Sequence, residues 1–332
     1  MKAMLLQRIT LALFSLTGAA WMSGCGKDDA SPCGCTPLGL TKDPLDYQQE
    51  GVYPVYARPS FDPAGSGQFA YIKGGGDDQP QLTGIWRASL AAPRNEQQLL
   101  PGQDFQLQLH WGSRGWLTYN NRAGQVMKLK SNGDSLQQLT FGIAHYAPIW
   151  SPDGRKIVCE LDGPRPQQYG LVVLDDTGRR IGPILARPYG YAQAWAPDGS
   201  KLALTYNPSN DVCGLGTYDF AAGQITLAAP NQLTSSSAGN VYGADWLPDS
   251  RTVVWATGQG LFKTDTQTHQ TTQLRSGCNS RIYLSPSVSP DGQTIIVQRD
   301  DKKLVNNGTT IRSAANLWTM NIDGTNERRV EF

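Results

Sequence analysis

The stretch AHYAPIWSPDGRKIVCE, Ala144 to Glu160, decides how this chain is read. Two runs rich in β-branched and apolar residues, one ending at Trp150 and one restarting at Ile157, flank Ser151-Pro152-Asp153-Gly154. Proline presets φ at about −65°, the aspartate carboxylate accepts from nearby backbone N–H groups, and glycine takes a left-handed conformation without a Cβ clash. The stretch is a strand, a tight turn and a second strand. It recurs as AQAWAPDGSKLALTY (192–206), GADWLPDSRTVVWA (243–256) and SPSVSPDGQTIIVQ (285–298), with two divergent copies, ARPSFDPAGSGQFAYI (57–72) and QLHWGSRGWLTY (108–119). Asp153, Asp198, Asp249 and Asp291 are read as turn residues. A catalytic carboxylate is needed once or twice, whereas a turn aspartate is needed in every unit.

The residues just before the turns, Phe61, Trp111, Trp150, Trp195, Trp246 and Val288, lie 50, 39, 45, 51 and 42 residues apart. Each hairpin is followed by a second strand–turn–strand segment, such as QVMKLKSNGDSLQQLT after Gln125 or NLWTMNIDGTNERRV after Asn316. Four antiparallel strands per unit at a period in the forties predict propeller blades rather than helical repeats. Six units predict an all-β, six-bladed β-propeller over residues 52–332, with no separate second domain. Only 17% of residues are charged, and 36 glycines and 21 prolines suit many turns and few helices. The net charge of +1 gives no electrostatic case for nucleic acid.

The Trp150-Ser151-Pro152-Asp153-Gly154 core and the later LWTMNIDGTNERRV (317–330) resemble the WD-like repeat of the TolB-type propeller family. The resemblance covers roughly Val52 to Phe332. It implies the propeller fold and, for function, a role beside peptidoglycan-associated lipoproteins in envelope integrity or import. The chain departs from that pattern in offering only a short segment before the propeller, where TolB carries an α/β domain, and in looking lipidated, where TolB is soluble and periplasmic.

Residues 1–24 read as a lipoprotein signal peptide. Lys2 and Arg8 precede an apolar run from Ile9 to Met22, and Ser23-Gly24 stand before Cys25. Cys25 is then the acylated first residue, anchoring the exported protein to the bacterial outer membrane on its periplasmic or surface side. An ordinary signal peptide or an uncleaved anchor fits the same stretch. Residues 25–51 form a flexible tether, polar and poor in apolar periodicity. Cys33 and Cys35 lie within it, as a pair open to oxidation with another thiol or to metal.

In such a blade the first strand runs along the central channel toward the S-P-D-G turn. Those turns and the third-to-fourth-strand turns make one rim. The links between blades and the second-to-third-strand loops make the other, where Lys73–Thr83, Asp162–Gln168, Asn207–Val212 and Arg299–Asn316 read as long loops, the usual place for binding. Tyr146, Tyr191 and Tyr242 lie four residues before their anchors, Tyr56 and Tyr283 five, and Phe105 six. They start the inner strands near that mouth, as partner- or ligand-binding candidates or as packing between blades. His110, His145 and His269 fall on separate units and predict no shared metal; no catalytic residue or cofactor is assigned. No G-x-S-x-G nucleophile elbow occurs in the chain. Cys159 reads as a small core residue, and Cys213 and Cys278 map to the loop rim, where pairing is open. The functional expectation is a non-enzymatic scaffold binding a cell-envelope protein or polysaccharide. The alternative is a carbohydrate-active, lyase- or hydrolase-like propeller working at the channel mouth.

Overall fold

The computed structural model describes residues 55–74, 80–102, 106–164, 169–185, 191–209, 212–229, 234–235, 241–278, 280–305 and 310–332. The expected signal peptide, Cys25, the tether with Cys33 and Cys35, and Phe105 lie outside these residues. Apart from one 3-10 turn, Pro80–Leu82, the named elements are β-strands in six antiparallel sheets. Blade 1 is β1 (Val55–Phe61), β2 (Gln68–Gly74), β3 (Gly84–Ser89) and β4 (Ala92–Pro101). Blade 2 is β5 (Gln106–Gly112), β6 (Trp116–Asn120), β7 (Val126–Lys130) and β8 (Gln137–Gln138). Blade 3 is β9 (Ala144–Trp150), β10 (Lys156–Asp162) and β11 (Tyr169–Asp175). Blade 4 is β12 (Ala192–Trp195), β13 (Lys201–Ser209), β14 (Val212–Asp219) and β15 (Gln224–Leu227), with β16 (Thr234–Ser235) also on β14. Blade 5 is β17 (Gly243–Trp246), β18 (Thr252–Thr257), β19 (Gly260–Asp265) and β20 (Thr271–Ser276). Blade 6 is β21 (Arg281–Val288), β22 (Thr294–Val305), β23 (Thr310–Asn321) and β24 (Arg328–Arg329). The fold is the six-bladed propeller.

Two details differ from the sequence reading. Blade 3 has three paired strands. Two isolated bridges, Leu171↔Leu185 and Leu174↔Arg180, stand where its fourth is expected. Gly182, at φ 97°, and Pro183, which lacks an N–H, interrupt the ladder there. The stretch Arg299–Asn316, expected as a long irregular loop, is mostly a β-ribbon. β22 and β23 pair continuously from Thr294↔Asn321 to Val305↔Thr310, so the backbone groups of this polar stretch are satisfied by each other. Asn207–Val212 likewise narrows to a hairpin end at the Ser209↔Val212 pair.

The repeated turns are held by their aspartates. Asp153 Oδ1 accepts from Arg155 N at 3.0 Å and from Ser151 Oγ at 2.6 Å. Asp198 accepts from Ser200 N at 2.9 Å, Asp249 from Arg251 N and Thr252 N at 2.9 and 2.8 Å, and Asp291 from Gln293 N at 3.0 Å. Neighbouring turns also touch. Arg114 Nε donates to Asp153 O at 3.1 Å and Asp198 N to Ser250 Oγ at 3.0 Å.

The core is divided by the pleat. Adjacent residues of one strand point to opposite neighbours, so Ile149 packs toward blade 4 while Trp150 packs toward blade 2. Ile295 and Ile296 divide between blades 5 and 1 in the same way. Each of the six blade-to-blade interfaces thus holds its own buried apolar cluster. Closure of the ring is by side chains. Among the described residues, the strands of blades 1 and 6 each come from one stretch of sequence, and none is exchanged between them. Instead Phe61, Phe69 and Tyr71 pack on Ile296, Leu317 and Val330, and Phe332 stacks on Tyr56 with centroids 4.5 Å apart and planes 3° apart.

Candidate functional site

The inner strands meet around the channel, and their sequence positions can be compared blade by blade. Three residues before each anchor stand Arg58, Gln108, Ala147, Ala192, Gly243 and Ser285. In five blades a bulge breaks the register between first and second strands near this point. Arg58, Ala147 and Ser285 have φ of 54°, 51° and 48°, and Gly243 has 145°. A Cβ on Gly243 would stand 2.6 Å from Ser285 Cα, so only glycine lets blades 5 and 6 approach this closely.

One residue before the anchor, four side chains bond across to the next blade. Ser60 Oγ accepts from Trp111 N at 2.9 Å, His110 Nδ1 from Trp150 N at 3.2 Å, and Asp245 Oδ2 from Val288 N at 2.8 Å. Ser287 Oγ accepts from Phe61 N at 3.2 Å and so joins blade 6 to blade 1. Burial lowers the His110 pKa to about 4, so the ring is neutral, with Nδ1 as acceptor and the proton on Nε2. Burial raises Asp245 to about 6, opposed by its bonds from Val288 N, Trp246 N and Ser287. Burial lowers Arg58 to about 10, which leaves it cationic at neutral pH. This end of the channel holds a cavity of about 380 Å³, opening between the turn prolines Pro63, Pro152, Pro197, Pro248 and Pro290. Arg58, His110 and Asp245 line it, together with Trp111, Trp150, Trp195 and Trp246.

The tyrosines lie elsewhere, and none of the five lines this cavity. Tyr56 is held in the blade 1–6 seam by Phe332, and burial raises its pKa to about 12. Tyr283 is 1% exposed, and its hydroxyl donates to Glu327 Oε1 at 3.0 Å. Tyr146 stands opposite Glu160 in the β9–β10 pair, its ring against Gly124 of blade 2. Tyr191, 42% exposed, precedes β12. Tyr146 and Tyr191 share an acidic setting. Burial and then Asp162 raise Glu160 to about 8, and burial followed by Glu160 and Asp162 raises Tyr191 to about 12. Tyr242 is half-buried, and its carbonyl accepts from Ser285 N at 2.9 Å. The structure therefore brings Tyr146 and Tyr191 together on the loop rim, with Tyr242 one blade on, and commits Tyr56 and Tyr283 to packing.

His145 and His269 are held by backbone carbonyls, Ile143 O at 2.9 Å and Ala228 O at 3.0 Å. Among the described residues no three His, Cys, Asp or Glu side chains gather where they could hold a metal ion. Cys159 and Cys213 are buried and not in a disulfide, whereas Cys278 is disulfide-bonded, so Cys213 and Cys278 do not pair with each other. Sequence reading did not single out Arg58, Ser60, Glu160, Asp245 or Ser287. The signal for four of them was there, in polar residues recurring at fixed distances before the anchors.

No family model and no curated protein matches this chain. Solved structures do. A putative TolB from Agrobacterium tumefaciens aligns at 17% identity and TM-score 0.57 over 72% of this chain and 84% of that one. TolB from Acinetobacter baumannii aligns at 16% and 0.56 over 82% of this chain, which spans only 61% of that protein's length. Oligogalacturonate lyase from Vibrio parahaemolyticus aligns at 13% and 0.51, over 83% of this chain and 78% of that one. At these identities the likeness is one of fold, a propeller shared by TolB proteins and by an enzyme.

Proposed function

We propose that the protein is an exported envelope lipoprotein, anchored through Cys25 to the outer membrane, whose propeller is a non-enzymatic scaffold. It docks an envelope protein or polysaccharide on the loop rim, at Tyr146, Tyr191 and Tyr242. The observation that carries this reading is the Tyr146–Tyr191 pair, two aromatic hydroxyl-bearing groups at one blade junction, with Tyr191 exposed on a rigid ring. Such side chains supply contact area with little conformational entropy to lose. The proposed layout is signal peptide 1–24, tether 25–51 and propeller 52–332. Among the described residues no helix is long and apolar enough to cross a membrane, and the lipid supplies the attachment in this reading.

The sugar-processing alternative needs a reactive histidine, and His110 and His145 are both engaged with backbone groups. Pull-down from envelope extract tests the scaffold. The Tyr146→Ala, Tyr191→Ala, Tyr242→Ala triple variant should stay folded and lose the partner. Retained capture by that variant, or metal-dependent oligosaccharide turnover that requires His110 or His145, would overturn the reading. Mass spectrometry of the N-terminal peptide should find lipid on Cys25, and an intact Met1 would remove the anchor.

A further inference from the structure

We propose that the turn-side end of the channel is a binding site for a small organic carboxylate, held by Arg58 against an aromatic wall. The proposal concerns the mouth opposite the tyrosine rim and stands independently of what docks there.

Its first support is the isolation of Arg58. The side chain is half-buried on the channel wall, and among the described residues its guanidinium has one hydrogen bond, from Nη1 to Ser285 Oγ at 2.7 Å. Asp300 is the carboxylate that acts on it, from beyond ion-pair distance. Arg299, a buried arginine in the adjoining blade, is held differently. Its guanidinium meets Asp301 at 2.9 Å and Glu327 at 3.0 Å and lies 3.4 Å from the Trp318 ring. A buried cation is costly unless an anion or several acceptors compensate it. Arg299 has that compensation within the fold, whereas Arg58 lines the cavity with, among the described residues, one side-chain hydrogen bond, to Ser285, and no ion pair.

The second support is the rest of the wall. His110 uses Nδ1 as an acceptor, so its remaining ring group is an Nε2–H donor. Trp111, Trp150 and Trp195 are each at least nine-tenths buried, and their indole N–H groups have no acceptor among the described residues. Asp245, the acidic group of the lining, already accepts from two backbone N–H groups at 2.8 and 2.9 Å. Arg58 and His110 thus line the cavity between indole and proline surfaces, with the Asp245 carboxylate tied to the backbone and the three indole N–H groups without accessible surface. That chemistry selects an anion on an apolar body. A cavity of about 380 Å³ admits a molecule of roughly monosaccharide or dipeptide size.

The third support comes from comparing blades. The bulge that carries Arg58 is a feature of the fold, and the equivalent positions hold Gln108, Ala147, Ala192, Gly243 and Ser285, four of them small and none charged. Small residues meet the structural need, so the long cation is an addition to it.

Phenylacetate and its neutral isostere phenylacetamide test the proposal on the full chain, by calorimetry and by tryptophan fluorescence. Phenylacetate should bind saturably in the millimolar range or tighter, with phenylacetamide at least about tenfold weaker, as expected for loss of a charged hydrogen-bonded pair. Arg58→Gln should weaken phenylacetate by a similar factor, and Arg58→Lys by less. The Tyr146, Tyr191, Tyr242 triple variant should bind phenylacetate like wild type. Equal binding of acid and amide, no saturable binding, or full affinity in a folded Arg58→Gln variant would each overturn it. Should Arg58→Gln fail to fold, the acid–amide comparison on wild type still decides.

Discussion

Replacing Phe332 by alanine tests the claim that side chains, not a shared strand, close the ring. Phe332 stacks on Tyr56 at 4.5 Å, lies 4.8 Å from the Tyr71 ring and meets Phe69 edge-on at 6.3 Å. Truncating a fully buried phenylalanine costs about 3–5 kcal/mol. Phe332 is only partly buried, so roughly half of that applies, about 2 kcal/mol. Loss of the stacked pair adds about 0.5–1.5 kcal/mol. The expected destabilisation is therefore about 2.5–3.5 kcal/mol, read from the urea midpoint with the slope unchanged. Phe141, 74% exposed, supplies the control. Phe141→Ala should stay within about 0.5 kcal/mol of wild type. If Phe332→Ala costs no more than Phe141→Ala, the seam between blades 1 and 6 is held by something else, and the account of closure fails.

Two further outcomes follow from buried groups. Asp245 is raised from 3.8 to about 6, so the unfolded chain ionises first as pH rises. Stability should fall by up to about 3 kcal/mol from pH 4 to above pH 6 through this residue, and Asp245→Asn should flatten that slope in urea titrations. Glu160, raised to about 8, extends the decline toward pH 8. Asp175, lowered to about 2 chiefly by the Thr177 hydroxyl, acts with the opposite sign, so stability should also fall below about pH 4. A stability maximum at or above pH 8 would contradict the Asp245 and Glu160 assignments. Gly243→Ala should cost at least about 2 kcal/mol by forcing Cβ against the Ser285 backbone in a left-handed conformation, and a neutral effect on thermal unfolding would show that blades 5 and 6 can separate there.

The sequence made the blades legible because one short motif carries its own physics. Proline, aspartate and glycine act locally, and the hairpin they make needs no distant contact to be recognised. Strand pairing beyond the turns was harder. Arg299–Asn316 is polar enough to read as loop, yet each half satisfies the other's backbone, which composition does not reveal. The missing fourth strand of blade 3 was visible in Gly182-Pro183 but outweighed by the repeat. The interblade bonds of Ser60, His110, Asp245 and Ser287 were hidden for another reason. Their partners lie in the next blade, 40 to 51 residues away or across the ring seam, so only the closed structure brings them together. The tyrosines show the same limit. Equal spacing from the anchors placed them at one mouth, but neighbours in adjoining blades decide that Tyr283 is buried and Tyr191 is not.

A repeat protein also carries its own controls. Six equivalent positions answer what the fold requires, and departures from that answer mark what it does not require. One residue before the anchor, Ile149 and Ala194 occupy two blades, so a polar bond across each seam is not obligatory. Serine makes that bond at Ser60 and Ser287 without burying a charge. Asp245 makes the same bond with a carboxylate whose ionisation is disfavoured by burial, and Arg58 places a cation where four other blades use alanine, glycine or serine. Both lie on one cavity, and both are dearer choices than their counterparts. Residues of this cost at one end of the channel, where cheaper ones satisfy the same backbone, are what the proposed carboxylate site accounts for.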